Sequence, residues 1–270
     1  MRDDLRLMAI LAHPDDESLG CGFCLAHYAS QGVHVSLVMG TRGERGWGGA
    51  PDDFPGLEVL GTIREKELRC AADCLGIEEI TFLDYIDGDL DKANPQDAIR
   101  KISHAIRRVK PQVVLTFDPA GAYGHPDHIA IAQYAVAAIV AAADVHYADA
   151  QDLAPHTVQK TYYMLDTDAL VEMVQRVWGG ITFEVDGETR LHTPWPNWAA
   201  TTRVDASASW QKGLDAIACH VSQVDDLMEK LVELPKTNDH LVWTNQTFFR
   251  VFSLVNGGRE VETDLFAGLR

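Results

Sequence analysis

Leu5-Arg-Leu-Met-Ala-Ile-Leu-Ala-His13-Pro14-Asp15-Asp16-Glu17 decides the fold. Leu5 to Ala12 is a continuous apolar run, as in a strand covered on both faces, and is too short for a signal core or a membrane span. His13-Pro14-Asp15-Asp16 breaks the run, and Glu17 to Gln31 carries helical spacing until Gly32 ends it. Val33 to Met39 reads as a second buried strand. Strand, loop, helix, strand is a βαβ unit, so the expected fold class is α/β, a mostly parallel sheet with helices on both faces.

The pattern continues outward. A glycine-rich stretch from Gly40 to Gly61 precedes an expected helix over Thr62 to Leu75 and a short strand over Ile80 to Leu83. A helix over Pro95 to Val109 and a strand over Gln112 to Phe117 follow, and an alanine-rich helix from His128 to Ala143 completes another βα unit. Past residue 150 the periodicity weakens. It predicts a strand at Val158 to Leu165, a helix at Asp168 to Val177 and a hairpin over Ile181 to Leu191 about Asp186-Gly187. Helices at Ala206 to Cys219 and Gln223 to Leu234 lead to a last strand at Thr247 to Leu254, which is expected to return to the sheet. The organisation predicted is one domain over 1–270, with a core of about 1–165 and C-terminal additions of about 166–270 that form part of the pocket.

Composition narrows the function classes. Of the 270 residues 46% are hydrophobic and 23% charged, enough for a sizeable core. The formal net charge of −17 is spread along the chain and repels a phosphate backbone, so neither nucleic acid nor an anionic membrane is an expected partner. A polar start places the protein in the cytoplasm on this reading. The five cysteines, Cys21, Cys24, Cys70, Cys74 and Cys219, are an odd number, and reduced, mostly buried thiols are expected. Cys21 and Cys24 form a C-x-x-C inside a helix rather than at its N-terminus, where a thiolate would be stabilised. No heptad pattern sets an oligomeric state.

Two loops at predicted strand ends hold the chemistry: Ala12-His13-Pro14-Asp15-Asp16-Glu17 and Gly124-His125-Pro126-Asp127-His128. Either alone could be a helix cap. Together they read as a metal site, with His13 and Asp16 converging across a turn and His128 arriving from the adjacent strand end. Two histidines and a carboxylate suit catalytic zinc, one ion per chain, and equally suit iron(II). A metal-bound water needs a base, for which Asp15 is placed. His125 is a candidate to protonate a leaving amine or steady an oxyanion, with Asp127 fixing its orientation.

These two motifs resemble those of the LmbE-like, or PIG-L, de-N-acetylases, and the resemblance extends over nearly the whole chain. Weaker matches are Thr41-Arg-Gly-Glu44-Arg-Gly46, Arg64-Glu-Lys-Glu67, Lys212 with His220-Val-Ser-Gln223, and Asp264-Leu-Phe-Ala-Gly-Leu. The resemblance implies a Rossmann-like zinc hydrolase that removes acetyl from a small N-acetylglucosamine-type substrate. It implies zinc on His13, Asp16 and His128, Asp15 as general base, His125 at the oxyanion or leaving group, and a mobile Tyr123 hydroxyl assisting it. Arg64, Glu44 and His220, from the weaker family matches, and Trp47, from the glycine-rich stretch after a strand end, are the expected substrate-binding residues. For Arg64 the alternative is a surface ion pair with Glu67 or Glu44, and for His220 a buried structural role. Trp195 and Trp198 join Trp47 as candidate platforms for a sugar. His27, His34, His104, His146, His156, His192 and His240 stand outside any ligand spacing. Other readings are an amidase acting on a thiol-sugar conjugate, an iron(II) enzyme activating oxygen, and a non-catalytic module binding metal or sugar.

Overall fold

Burial on both faces dictates the centre of the molecule. Strand β1 (Arg6–Leu11) is fully buried from Leu7 onward, and β2 (His34–Thr41) is buried after its first residue. The computed structural model describes residues 5–149, 151–180, 182–258 and 260–270. Between and after these strands come α1 (Asp16–Ser30), α2 (Leu57–Leu75), β3 (Ile77–Tyr85), α3 (Pro95–Val109), β4 (Val113–Thr116), the single turn α4 (Gly121–Gly124), α5 (Pro126–Ala143) and β5 (Lys160–Met164). The C-terminal part adds α6 (Asp168–Trp178), the hairpin β6 (Thr182–Val185) and β7 (Glu188–Leu191), β8 (Thr202–Asp205), α7 (Trp210–Cys219), α8 (Val221–Leu231), α9 (His240–Thr244) and β9 (Asn245–Ser253).

The main sheet runs β3-β2-β1-β4-β5-β9-β8, parallel from β3 to β5 and antiparallel where β9 and β8 join it. The chain therefore winds from β1 toward β3 and then, through α3, back across to β4 and β5. With right-handed crossovers the two directions put α1 and α2 on one face and α3 and α5 on the other. Helix α7 packs on α1 and α2, and α5 packs on α3. Helix α5 is apolar along its length because it is a core helix: 61% of it is buried, although its length and composition would also suit a membrane span.

Several boundaries differ from those expected. Helix α2 starts at Leu57, not Thr62, and takes in Gly61, where a Cβ would lie 2.9 Å from the Glu44 Cγ; the glycine makes room for that side chain. Strand β8 has no sequence signal, since Thr202-Arg-Val-Asp205 is a four-residue edge strand with two charges. Helix α7 begins at Trp210 after a 3-10 turn, four residues later than its apolar pattern. The hairpin turns at Asp186 and Gly187, both with positive φ, as a type I′ turn requires; Ile181, the expected first residue, lies outside the described residues.

The expectation that every thiol is reduced is overturned. Packing of α2 against α7 brings Cys70 and Cys219 to a Cα separation of 5.8 Å, and the two are joined as a disulfide, with the Cys74 thiol 3.9 Å from the Cys219 sulfur. Cys21 and Cys24 are buried free thiols, and burial, followed by the nearby Glu17, pushes the Cys21 thiol far above its ordinary range, so neither is poised for redox or metal chemistry.

The C-terminal segment is fastened to the sheet through Glu262. Its carboxylate accepts from Lys160 Nζ at 2.6 Å, Tyr162 Oη at 2.8 Å, Thr202 Oγ1 at 2.8 Å and Arg250 Nη1 at 2.9 Å. Burial alone would raise its carboxyl, but Lys160 and the other donors outweigh this and hold it down to about 2. A depressed carboxyl contributes stability at neutral pH that is lost as pH falls from the ordinary glutamate range of about 4.3 toward 2. Glu262→Gln leaves the Lys160 ammonium buried without its counter-charge, and we expect a loss of about 3–5 kcal/mol in urea unfolding at pH 7. The gap between variant and parent should shrink as pH approaches 3; a gap independent of pH would show that charge is not what Glu262 supplies.

Candidate metal centre

The site follows from strand order. Neighbouring strands β1 and β4 feed helices on opposite faces, so the loops after them diverge and open a crevice at the switch point, where open α/β sheets bind ligands. Residues 12–15 leave β1 and residues 117–125 leave β4, and each loop opens a helix.

His13 and His128 meet in this crevice, with His13 Nδ1 3.2 Å from His128 Nε2. Asp16 joins them, its Oδ1 3.4 Å from His128 Nε2 and its Oδ2 3.8 Å from His13 Nδ1. A tetrahedral ion with ligands at about 2.0–2.1 Å spans ligand-to-ligand edges of roughly 3.3–3.4 Å. The His13–His128 and His128–Asp16 separations are close to that edge, and the separation of Asp16 from His13 is longer. Zinc and iron(II) both suit two imidazoles and a carboxylate.

A surrounding shell orients the first donor. His13 Nε2 lies 3.1 Å from Asp87 Oδ1 and 3.1 Å from Asp127 Oδ2. Asp127 is itself fixed by the backbone N–H groups of Gly88 at 2.7 Å and Leu90 at 3.1 Å. Two carboxylates facing Nε2 assign the proton to that nitrogen and leave the Nδ1 lone pair facing His128 and Asp16. His13, Asp87 and Asp127 also lie close enough to hold an ion between them, but the Asp127 oxygens are already committed to backbone donors. Burial opposes protonation of His13, but Asp87, Asp127 and Asp16 outweigh it and raise its pKa.

Asp127 thus serves His13, and the expectation that its carboxylate orients His125 is corrected. Its backbone N–H does so instead, donating at 3.1 Å to His125 Nδ1, which caps α5. The neutral His125 ring consequently carries its proton on Nε2. Burial, and then the neighbouring His13, push His125 down to about 4, so it is neutral near pH 7. Its ring is 4.7 Å from that of His13 and 4.8 Å from that of His128. Tyr123 stacks on Phe183 of the hairpin at 3.8 Å and meets the His128 ring edge-on at 5.1 Å.

Asp15 begins α1 with φ 112°, a left-handed conformation that costs a non-glycine residue about 1–3 kcal/mol and is characteristic of functional loops. Arg64 fixes it, Nη2 donating to Asp15 Oδ2 at 3.0 Å and Nη1 to the Gly43 carbonyl at 2.9 Å. Arg64 is only 3% exposed, so the surface ion pair with Glu67 or Glu44 does not form; Glu67 accepts instead from Ser222. Burial raises the Asp15 carboxyl, opposed by Arg64 and His220. Burial likewise raises Asp16 to about 7, opposed by His13 and reinforced by Asp15, a state that a bound cation would reverse.

Two expected substrate contacts are corrected. Glu44 stands behind the cavity wall, where it accepts from the backbone N–H of Asp87 at 3.1 Å and of Arg42 at 3.3 Å and braces the loop. His220 is fully buried beneath the site, its Nε2 2.7 Å from Glu17 Oε1. Glu17 in turn accepts from the Asp15 N–H at 3.0 Å, so this buried pair supports the strained loop. Arg64, Trp47 and Trp195 line one cavity of about 780 Å³ with the metal-binding cluster, whereas Trp198 is 85% exposed and lies outside it.

Sequence reasoning missed Asp87, which follows β3, and the pair His192 and Asp166. His192 Nδ1 is 2.7 Å from Asp166 Oδ2, both line the cavity, and the pairing outweighs burial to raise the His192 pKa. For Asp87 a signal existed, since Asp87-Gly88-Asp89 leaves the carboxyl end of a parallel strand. For His192 there was none.

Comparison with known proteins agrees with this architecture. The family model PIG-L, GlcNAc-PI de-N-acetylase, matches residues 8–139. A 1D-myo-inositol 2-acetamido-2-deoxy-α-D-glucopyranoside deacetylase of Kineococcus radiotolerans is 30% identical, covering 98% of this chain and 83% of its own. The mycothiol S-conjugate amidase of Streptomyces coelicolor is 29% identical, covering 100% of this chain and 99% of its own. Among solved structures, N,N′-diacetylchitobiose deacetylase from Pyrococcus horikoshii superposes with a TM-score of 0.68 at 22% identity, over 92% of this chain and 84% of that one, a likeness of fold.

Removing the shell around His13 tests its role. Asp127→Ala should weaken zinc affinity about 10- to 100-fold, measured by competition with a fluorescent chelator. Unchanged affinity would mean that Asp127 only ties the loop of Gly88 to the sheet.

Proposed function

This chain belongs to the PIG-L family of de-N-acetylases, hydrolases acting on an amide carbon–nitrogen bond, and from that premise we propose that it removes an N-acetyl group from a small N-acetylglucosamine-type conjugate. In this reading residues 1–270 are one catalytic domain whose part after about residue 165 walls the pocket. One divalent ion, zinc with iron(II) as the alternative, is held by His13, Asp16 and His128. The observation that carries the reading is the convergence of His13, Asp16 and His128, at 3.2–3.8 Å from one another, on a cavity also lined by the Asp15 carboxylate that Arg64 holds.

A bound divalent ion would supply Lewis acidity and a water of lowered pKa. Asp15 is the base: Arg64 holds Oδ2 and favours the ionised form, and Oδ1 accepts the proton. His125, neutral and protonated on Nε2, donates a hydrogen bond toward the carbonyl oxygen as negative charge develops, and the proton taken up by Asp15 passes to the departing amine. The Tyr123 hydroxyl adds a second donor beside it. Arg64 and Trp47 border the sugar.

The same groups would serve an amidase acting on a thiol-sugar conjugate, the second reading, which rests on the full-length likeness to the Streptomyces coelicolor amidase. The two differ in the acyl group accepted, not in the residues that cleave the bond.

Acetate release from N-acetylglucosaminyl-inositol should disappear on chelation and return with zinc. Asp15→Asn should keep about one metal per chain and lower kcat by at least ~10²-fold. Metal-loaded protein that releases acetate from no such conjugate, yet cleaves a thiol-conjugate amide, would move the assignment to the second reading.

A further inference from the structure

The cavity is larger than the chemistry at its inner end requires. It measures about 780 Å³, within the ~300–1,000 Å³ range that encloses a whole drug-sized ligand. His13, Asp15, Asp16 and His128 occupy one end. The remainder is bounded by Leu170, Val174 and Trp178 of α6, Leu227 of α8, and Val242 and Trp243 of α9. Those six side chains are the partly buried rim of a second hydrophobic cluster centred on Phe23, Met173 and Leu231, so the wall is backed by packed core.

The composition of the wall identifies its occupant. Among the described residues that line the cavity, Arg64 is the one arginine or lysine, and it is committed to Asp15, Pro14 and Gly43 at the metal end. A phosphate or carboxylate lodged between α6, α8 and α9 would meet no arginine or lysine there. Among the described lining residues of α6, α8 and α9, Gln175 and Gln223 are the polar ones, and a free saccharide would set most of its hydroxyls against leucine, valine and tryptophan, where unpaired polar groups are costly.

We propose that this outer half of the cavity is a subsite for an uncharged apolar substituent, an alkyl chain or aromatic ring carried by the amide substrate. The proposal deepens the deacetylase reading and rests on it for the position of the scissile amide. The preferred substrate is then amphiphilic: a sugar amide at the metal end and an apolar group between α6, α8 and α9.

The test compares methyl and hexyl 2-acetamido-2-deoxy-β-D-glucopyranoside on zinc-loaded protein. Acetate release should show kcat/KM at least tenfold higher for the hexyl glycoside, through KM with kcat unchanged. Val174→Asp, checked for native circular dichroism, should abolish the preference while leaving the methyl glycoside unaffected. Should the variant misfold, tryptophan fluorescence of the parent titrated with hexyl and methyl glucoside, which contain no amide, gives a second readout, with the hexyl compound binding at least tenfold tighter. Equal kcat/KM together with equal fluorescence midpoints, or no fluorescence response to either glucoside, overturns the subsite. A selective hexyl response without acetate from either glycoside upholds the subsite and instead sinks the amino-sugar deacetylase reading.

Discussion

Asp16, Asp87 and Asp127 each approach a ring nitrogen of His13 within 4 Å, at 3.8, 3.1 and 3.1 Å, in a crevice from which water is largely withdrawn. With Asp15 beside them they put four carboxylates where an ionised group pays a desolvation penalty of several kcal/mol unless it is compensated. The compensation on the chain is partial. Arg64 serves Asp15, backbone N–H groups serve Asp127 and Asp16, and the raised pKa of Asp16 records what is left over. A divalent cation bound in the crevice would offset that deficit.

Much of the surrounding fold holds this arrangement against its strain. Asp15 sits at positive φ because His13 and Asp16 must reach inward from either side of it. From below, the buried Glu17 and His220 pair supports the Asp15 N–H. From the side, Arg64 on α2 bonds Asp15 and the loop after β2. Glu67, three residues on, receives Ser222 at the start of α8, and Cys70, one turn further, is linked to Cys219 at the end of α7. One face of α2 therefore ties the strand-end loop to the C-terminal helices.

The parts of this design that were legible in sequence are those with a local signature. The run from Leu5 to Ala12 followed by His-Pro-Asp-Asp announces a buried parallel strand and its ligand loop, and Gly-His-Pro-Asp-His repeats the announcement at β4. Pro95 to Val109 is read to its ends because Asn94 caps it, with Pro95 in its first turn. What was not legible depends on distant partners. Asp127 was assigned to a histidine of its own motif, His125, whereas the sheet brings His13 to its carboxylate. Glu44 and His220 share motifs with functional residues but bond inward, and no local pattern distinguishes a brace from a contact. The Cys70 to Cys219 link spans 149 residues and depends on α2 lying against α7.

The same contrast separates the chemistry from the outer wall. Loops at parallel strand ends are fixed at both sides by the sheet and by the helices they open. The hairpin β6–β7 has two strands and no neighbour in the main sheet, and such a hairpin is marginal alone. Its order comes from the catalytic loop itself: Phe183 stacks on Tyr123, and Arg190 Nη1 donates to the Gly124 carbonyl at 2.8 Å. Just beyond the hairpin, the Thr193 N–H donates to the Ala122 carbonyl. These contacts grip the segment that leads into His125. A group seated against the hairpin would therefore bear on the loop that carries His125.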